Sequence, residues 1–362
     1  MSEVNIRRWL LPLSYLYGLG VAVRNLMFNY GWLKTREFDI PTLCVGNLAV
    51  GGTGKTPHVE LLIYLLRSEG YRVATLSRGY GRRTKGYLKV TEAGTPAEVG
   101  DEPCQLKRKF PQVTVAVCEN RCHGIERLML SYPRPDAILL DDAFQHRYVK
   151  AGLNILLTDY HRLFSDDRLL PAGLLRENES AKFRADVVVV TKCPADIKPI
   201  DFNITTKRLG LQPYQKLFFS SLRYGRLYRM TRRDDERDYP QADEHVILLT
   251  GIASPDRLLE ELKRHTPHVS LLTFPDHHAY NAWDLKHLRH KLQSIGKDVR
   301  KLVVTTEKDA TRLSAVLQPD DELANYIYVA PIRVEILQDK ENLFNQTIIQ
   351  YVRTHQRNRN LS

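Results

Sequence analysis

The residues with the clearest chemical potential are Ala49-Val50-Gly51-Gly52-Thr53-Gly54-Lys55-Thr56. They match the phosphate-binding pattern G-x-x-x-x-G-K-[ST] at every fixed position but the first, where Ala49 stands in place of glycine. Small residues let successive backbone N–H groups converge on phosphate oxygens, and a helix that follows adds the positive end of its dipole. Lys55 is placed to bridge the β- and γ-phosphates, and Thr56 to offer its hydroxyl to Mg2+. ATP with Mg2+ is the expected occupant. An apolar run from Ala137 to Leu140 leads into Asp141-Asp142. Acids at the end of a strand beside such a loop hold Mg2+ directly or through water.

A nucleotide loop does not say where the phosphoryl group goes. Two further groups carry suitable chemistry. Val99-Gly100-Asp101-Glu102-Pro103 puts an acidic pair on a predicted loop, where a plain solvated turn is the competing reading. Asp276-His277-His278 follows a predicted strand near the C-terminal third, where an isolated histidine pair is more often structural. A carboxylate and an imidazole meeting across a cleft would make a general base.

Positioning these groups requires a scaffold. Short apolar runs alternate with helical stretches from residue 41 onward. Strands are predicted over 41–46, 73–77, 113–117, 137–140, 154–158 and 186–191, and a helix over 56–68. This alternation predicts an α/β fold, a P-loop domain with a doubly wound, mostly parallel sheet. At 222–245 the sequence turns polar and charged and reads as a linker or exposed ribbon. Strands then resume at 246–250, 269–274, 301–305 and 326–329, with a helix over 342–353. The expected organisation is an N-terminal membrane-surface helical segment over 1–35, a P-loop domain over 36–221, the linker, and a smaller α/β domain over 246–362 that contributes to the cleft. A chain of 362 residues favours more than one domain.

Hydrophobic residues at 43% and charged residues at 26% are globular values, so disorder is not expected. The net charge of +11 favours an anionic partner, either nucleotide or an acidic membrane surface. No nucleic-acid-binding signature accompanies it. Cys44, Cys104, Cys118, Cys122 and Cys193 form an odd set without framework spacing, which suits a reducing compartment. Between Arg8 and Arg24 lie fifteen uncharged residues, short of the ~18 that span a bilayer. Trp9, Tyr15, Tyr17, Phe28, Tyr30 and Trp32 are interfacial residue types, so this segment predicts a helix lying on a membrane surface. A helix packed on the domain is the alternative.

An ordered set of motifs carries a family resemblance: GNLAVGGTGKTP (46–57), SRGYGR (77–82), VGDEP (99–103), ENR (119–121), DDAFQHR (141–147), GLLRE (173–177), FPDHHAY (274–280) and TTEKD (305–309). Together they resemble the tetraacyldisaccharide 4′-kinases of lipid A biosynthesis. The resemblance implies phosphorylation by ATP of the 4′-hydroxyl of a tetraacyldisaccharide 1-phosphate, giving lipid IVA, at the cytoplasmic face of the bacterial inner membrane. No nucleic acid and no obligate protein partner is implied. It further implies that Asp101 is the catalytic aspartate and His277 its partner, that Glu102, Asp141 and Asp142 join Thr56 around Mg2+, and that Tyr80, Arg121, Gln145 and His146 face the lipid headgroup. The competing reading is a nucleotide-switched membrane-partitioning or metallochaperone protein. Their variant loop carries an extra lysine where this chain has Val50. The base-reading N/T-K-x-D of GTPases is also unmet, since Thr191-Lys192-Cys193-Pro194 lacks the aspartate.

Overall fold

The computed structural model describes residues 6–361 other than 195, 253–254, 277, 297 and 319, with side chains up to residue 356. Its strands are β1 (Thr42–Asn47), β2 (Val73–Ser77), β3 (Leu88–Lys89), β4 (Thr114–Val117), β5 (Ala137–Asp141), β6 (Leu153–Asp159), β7 (Val187–Thr191), β8 (Lys216–Tyr224), β9 (Leu227–Arg229), β10 (Arg232–Arg237), β11 (His245–Thr250), β12 (Val269–Thr273), β13 (Lys301–Thr306), β14 (Ile327–Ala330) and β15 (Ile332–Ile336). The helices are α1 (Leu11–Asn29), α2 (Lys55–Ser68), α3 (Pro96–Val99), α4 (Asp101–Lys109), α5 (Arg121–Met129), α6 (Pro199–Leu209), α7 (Asp256–Lys263), α8 (Ala282–Ser294), α9 (Glu307–Leu313) and α10 (Glu341–Leu361).

Nine strands form the larger sheet, in the order β15-β8-β7-β6-β1-β5-β2-β4-β3. All its pairings are parallel except β3 with β4 and β15 with β8 at the two edges. Val187–Thr191 shows why. The run VVVVT is buried throughout, so both faces of the strand must be covered. Val188 and Val190 belong to the core on one face of the sheet, which also takes in Ile125 and Leu128 of α5 and Leu209 of α6. Val187 and Val189 belong to the core on the opposite face, which takes in Val59, Leu62, Ile63 and Leu66 of α2 and Phe344, Ile348 and Val352 of α10. β1 lies between β5 and β6, with Val45 in register with Asp141. β1 connects through α2 to β2 on one side, and the later connection from β5 to β6 crosses to the other side of β1; doubly wound sheets bind ligands at the C-terminal strand ends beside such a reversal.

Six strands form the second sheet, β10-β9-β14-β13-β11-β12. Its core is built on both faces of β11 and β13. One of the two expected boundaries holds and one does not. Of the two readings of 222–245, the exposed ribbon is the one found: the segment ends β8 and supplies β9 and the largely exposed β10, which pair antiparallel at the edge of the second sheet and do not form a free linker. Nor does 246–362 form one unit. β15 returns to pair with β8, and α10 buries its apolar face on the larger sheet. Strand pairing across more than a hundred residues leaves no local trace in sequence, so neither crossing was visible there.

Candidate active site

Asn47 ends β1, and the loop that follows turns into α2 at Lys55. Gly51 and Gly54 take φ of 111° and 82°, values that suit glycine. Lys55 Nζ donates to Asn47 Oδ1 at 3.1 Å and lies 3.7 Å from the Asp142 carboxylate. The outer side of the loop is zipped to the GLLRE segment. Val50 N–H donates to the Leu174 carbonyl at 2.8 Å, and Arg176 N–H to the Leu48 carbonyl at 2.7 Å. Ala49 sits inside this short ladder, bridged to Leu175, and has no left-handed φ. Glycine is not required there, which accounts for the altered first motif position.

Asp141 is the last residue of β5 and is buried. Burial, then the neighbouring Asp142 carboxylate, push its pKa up to about 7, against the opposing pull of Lys55. Its Oδ1 has no hydrogen-bond partner. A buried carboxylate oxygen without a donor, beside a second carboxylate, is the chemistry a hard divalent cation satisfies, so the acids fit Mg2+. Among the described residues no cluster of three or more His, Cys, Asp or Glu side chains forms a ready metal cage. Such a site draws its remaining ligands from nucleotide phosphates and water, as Mg2+ commonly does. Asp142 adopts a left-handed φ of 48° and is held by Arg176 Nη1 at 3.0 Å. Thr56 lies one residue into α2.

The acidic pair at Asp101-Glu102 opens α4 and does not sit in the predicted loop. Gly100, with φ of 95°, breaks the chain between α3 and α4, and acids in the first helical turn complement the dipole. Arg312 of α9 reaches Asp101 Oδ2 with Nη2 at 2.6 Å and Nε at 3.2 Å. Arg312 is buried and also donates to the Gly251 carbonyl at 3.0 Å. Glu102 lies 3.8 Å from Lys308, which is 3.9 Å from Asp276. The site therefore joins elements of both sheets. His277 lies outside the described residues. His278 hydrogen-bonds Asp284 through Nε2 at 2.9 Å and stacks on Phe274.

The four expected headgroup residues occupy different settings. Tyr80 is largely exposed. Gln145 Nε2 donates to the Asn47 carbonyl at 2.8 Å. His146 is kept neutral, its pKa pushed down to about 4 by burial and then by Arg121. Arg121 is only 3% exposed and donates to the Cys118 carbonyl at 2.8 Å, so in this conformation it does not present a surface cation. Its charge instead acts on Asp141.

Sequence reasoning missed Asn47, Arg312 and the contacts of Arg176. Asn47 stands directly before the loop, yet its role depends on the fold of Lys55 back over β1. Arg312 follows Asp309 by three residues, a helical spacing that lets the buried Asp309 carboxylate brace the arginine that reaches Asp101.

The fold and the Gly-rich loop define a P-loop nucleotide-binding enzyme, of the class that joins a parallel α/β sheet to a second unit across a cleft. Residues 6–353 match the family described as tetraacyldisaccharide-1-P 4′-kinase, and the chain belongs to that family. It is 54% identical to a tetraacyldisaccharide 4′-kinase of Bacteroides fragilis over 99% of this chain and 97% of that protein. It is 45% identical to one of Porphyromonas gingivalis over 95% and 97%. Among solved structures, LpxK from Aquifex aeolicus in complex with ATP matches with a TM-score of 0.74 at 30% identity, covering 96% of this chain and 99% of that one.

Proposed function

We propose that this enzyme transfers the γ-phosphoryl group of ATP to the 4′-hydroxyl of a tetraacyldisaccharide 1-phosphate, giving lipid IVA, on the cytoplasmic face of the inner membrane. The observation that carries this reading is that the acidic pair opening α4 faces both ways: the Glu102 charge acts on Asp141 at the end of β5, and Asp101 is gripped by Arg312 of α9 in the second sheet. A kinase needs such a carboxylate near the attacking hydroxyl, held by the elements that frame the cleft.

Residues 49–56 hold the triphosphate, with Lys55 at the β- and γ-phosphates. Asp101 accepts the hydroxyl proton, with His277 as its partner. Thr56, Glu102, Asp141 and Asp142 would hold Mg2+, which when bound neutralises charge on the phosphate oxygens. Tyr80, Gln145 and His146 line the approach of the headgroup, and Arg121, buried behind them, acts there through its charge on Asp141 and His146. Catalysis is then chiefly positioning and charge neutralisation.

The membrane assignment has its own support. Trp9 and Trp32 are 78% and 76% exposed, and Leu13, Tyr15, Leu16 and Leu19 are exposed along α1. A large exposed apolar surface of this kind marks an interaction site. No described helix is long and apolar enough to cross a membrane, so α1 would lie on the surface. The inner side of α1 is pinned to the site. Tyr17 Oη donates to the Arg176 carbonyl at 2.9 Å, and Arg24 to the Gln145 carbonyl at 3.1 Å. A lipid acceptor held at that surface would meet the loops carrying Gln145 and Arg176.

The test is incubation with labelled ATP, Mg2+ and a tetraacyldisaccharide 1-phosphate in detergent. A bis-phosphorylated lipid is expected. Nucleotide-dependent dimerisation with no lipid product would favour the switch-protein reading instead.

A further inference from the structure

His58 lies on the first turn of α2 and is only 2% exposed. Its Nδ1 is 2.7 Å from the Gly54 carbonyl oxygen, and its Nε2 is 3.0 Å from Ser220 Oγ on β8. A carbonyl only accepts, so Nδ1 carries the proton and Nε2 accepts from the Ser220 hydroxyl. The same carbonyl also receives the backbone N–H of His58, but over a stretched 3.3 Å. The side chain therefore supplies the shorter hold. One residue earlier, the Thr191 hydroxyl donates to the Thr53 carbonyl at 2.8 Å.

These contacts matter because a peptide unit is planar and trans, so its C=O and N–H point to opposite sides. The Gly54 carbonyl shares its unit with the Lys55 amide. The Thr53 carbonyl shares its unit with the Gly54 amide. A phosphate cradle works only when those amides face the anion, and a flipped unit would present a carbonyl oxygen to it. Gly54, with φ of 82° and no side chain, is the point where such a flip meets least resistance.

We propose that His58 is a positioning residue for the phosphate loop: its Nδ1–H holds the Gly54 carbonyl turned along α2 and thereby keeps the Lys55 amide turned toward the triphosphate. Ser220 fixes the tautomer. Because Ser220 belongs to β8, the strand from which the chain passes to β9, the loop is braced against the element that leads to the second sheet.

The inference rests on the reading of residues 49–56 as the nucleotide site. The experiment compares the full chain with His58→Leu and His58→Asn. Asparagine places an amide nitrogen near the Nδ1 position, whereas leucine fills the volume without a donor. The readouts are the Kd of a fluorescent ATP analogue, KM for ATP and KM for the lipid acceptor. His58→Leu is expected to raise both ATP constants about tenfold, the effect of one lost hydrogen bond at the cradle, with acceptor KM within about twofold. His58→Asn is expected to recover ATP affinity to within about threefold of the parent. ATP binding unchanged in a folded His58→Leu, equal losses for ATP and acceptor, or failure of His58→Asn to recover would each overturn the proposal. If His58→Leu does not fold, His58→Gln, whose longer amide reaches Ser220 and not Gly54, takes its place with the same criteria. Absence of ATP binding in the parent chain would instead sink the nucleotide-site reading itself.

Discussion

Arg312 grips Asp101 through two N–H groups that converge on one carboxylate oxygen, at 2.6 and 3.2 Å, from helices belonging to different sheets. Charge-assisted bonds of this geometry are short and directional, and they fix the position of an acid more firmly than a neutral donor would. The arginine is itself held by the Gly251 carbonyl and by Asp309, which accepts hydroxyl donors from Thr250, Thr306 and Tyr280. Asp101 thus rests on a buried polar network of the second sheet.

Arg312→Lys should lower kcat by about 10- to 100-fold with KM for ATP little changed. Lysine keeps the charge but cannot place two donors on one oxygen, and small displacements of a catalytic group are costly. Asp101→Asn should lower kcat by about 100-fold or more, also without loss of ATP binding. Steady-state kinetics with a parallel ATP-binding measurement checks both. A matching loss in ATP affinity would assign Asp101 to the nucleotide or its metal.

Asp142 shares its carboxylate between Arg176 and Lys55, whereas the Asp141 oxygen has no donor. Asp141→Asn and Asp142→Asn should each raise the Mg2+ concentration needed for half-maximal activity and lower kcat/KM by about 100-fold. A Mg2+ titration of initial rate is the measurement. An unchanged Mg2+ midpoint in both variants would remove them from the metal site.

Glu60 and Glu307 share Lys109, at 2.6 and 2.7 Å, in a buried charge group between α2, α4 and α9. Burial, then Glu307, push the Glu60 pKa up from 4.5 to about 7. Between those values the native protein keeps a proton that the unfolded chain has released, so this group's contribution to stability falls as pH rises through the window. Glu60→Gln cannot ionise. Its melting temperature should match the parent near the bottom of the window and exceed it by roughly several degrees above the top. Melting curves across that range decide it. A gap that does not grow with pH would show that Glu60 ionises freely in the fold.

The exposed face of α1 should govern membrane binding. Leu16→Glu with Leu19→Glu should strongly reduce co-sedimentation with anionic vesicles, while activity on detergent-dispersed acceptor stays within about threefold. Retained sedimentation would place the membrane contact elsewhere.

The strand, Gly-rich loop and helix over 42–68 were legible in the sequence because they form one local unit, with Lys55 and Thr56 at the start of α2, and the strand carrying Asp141 showed itself by its apolar run. The ordered motifs likewise carried the family, and with it the expected aspartate at 101. What stayed hidden depends on contacts between distant segments. Nothing local predicts that Arg312 meets Asp101 across 211 positions, or that His58 meets Ser220 across 162. The return of β15 and α10 to the larger sheet belongs to the same class, as does the burial of Arg121. Sequence spacing fixes which side chains share a helix face or strand end, through the 3.6- and 2-residue periods. Which faces then meet is settled by burial of apolar surface over the whole chain, and only that tertiary choice brought Arg312 to Asp101 and His58 to Ser220.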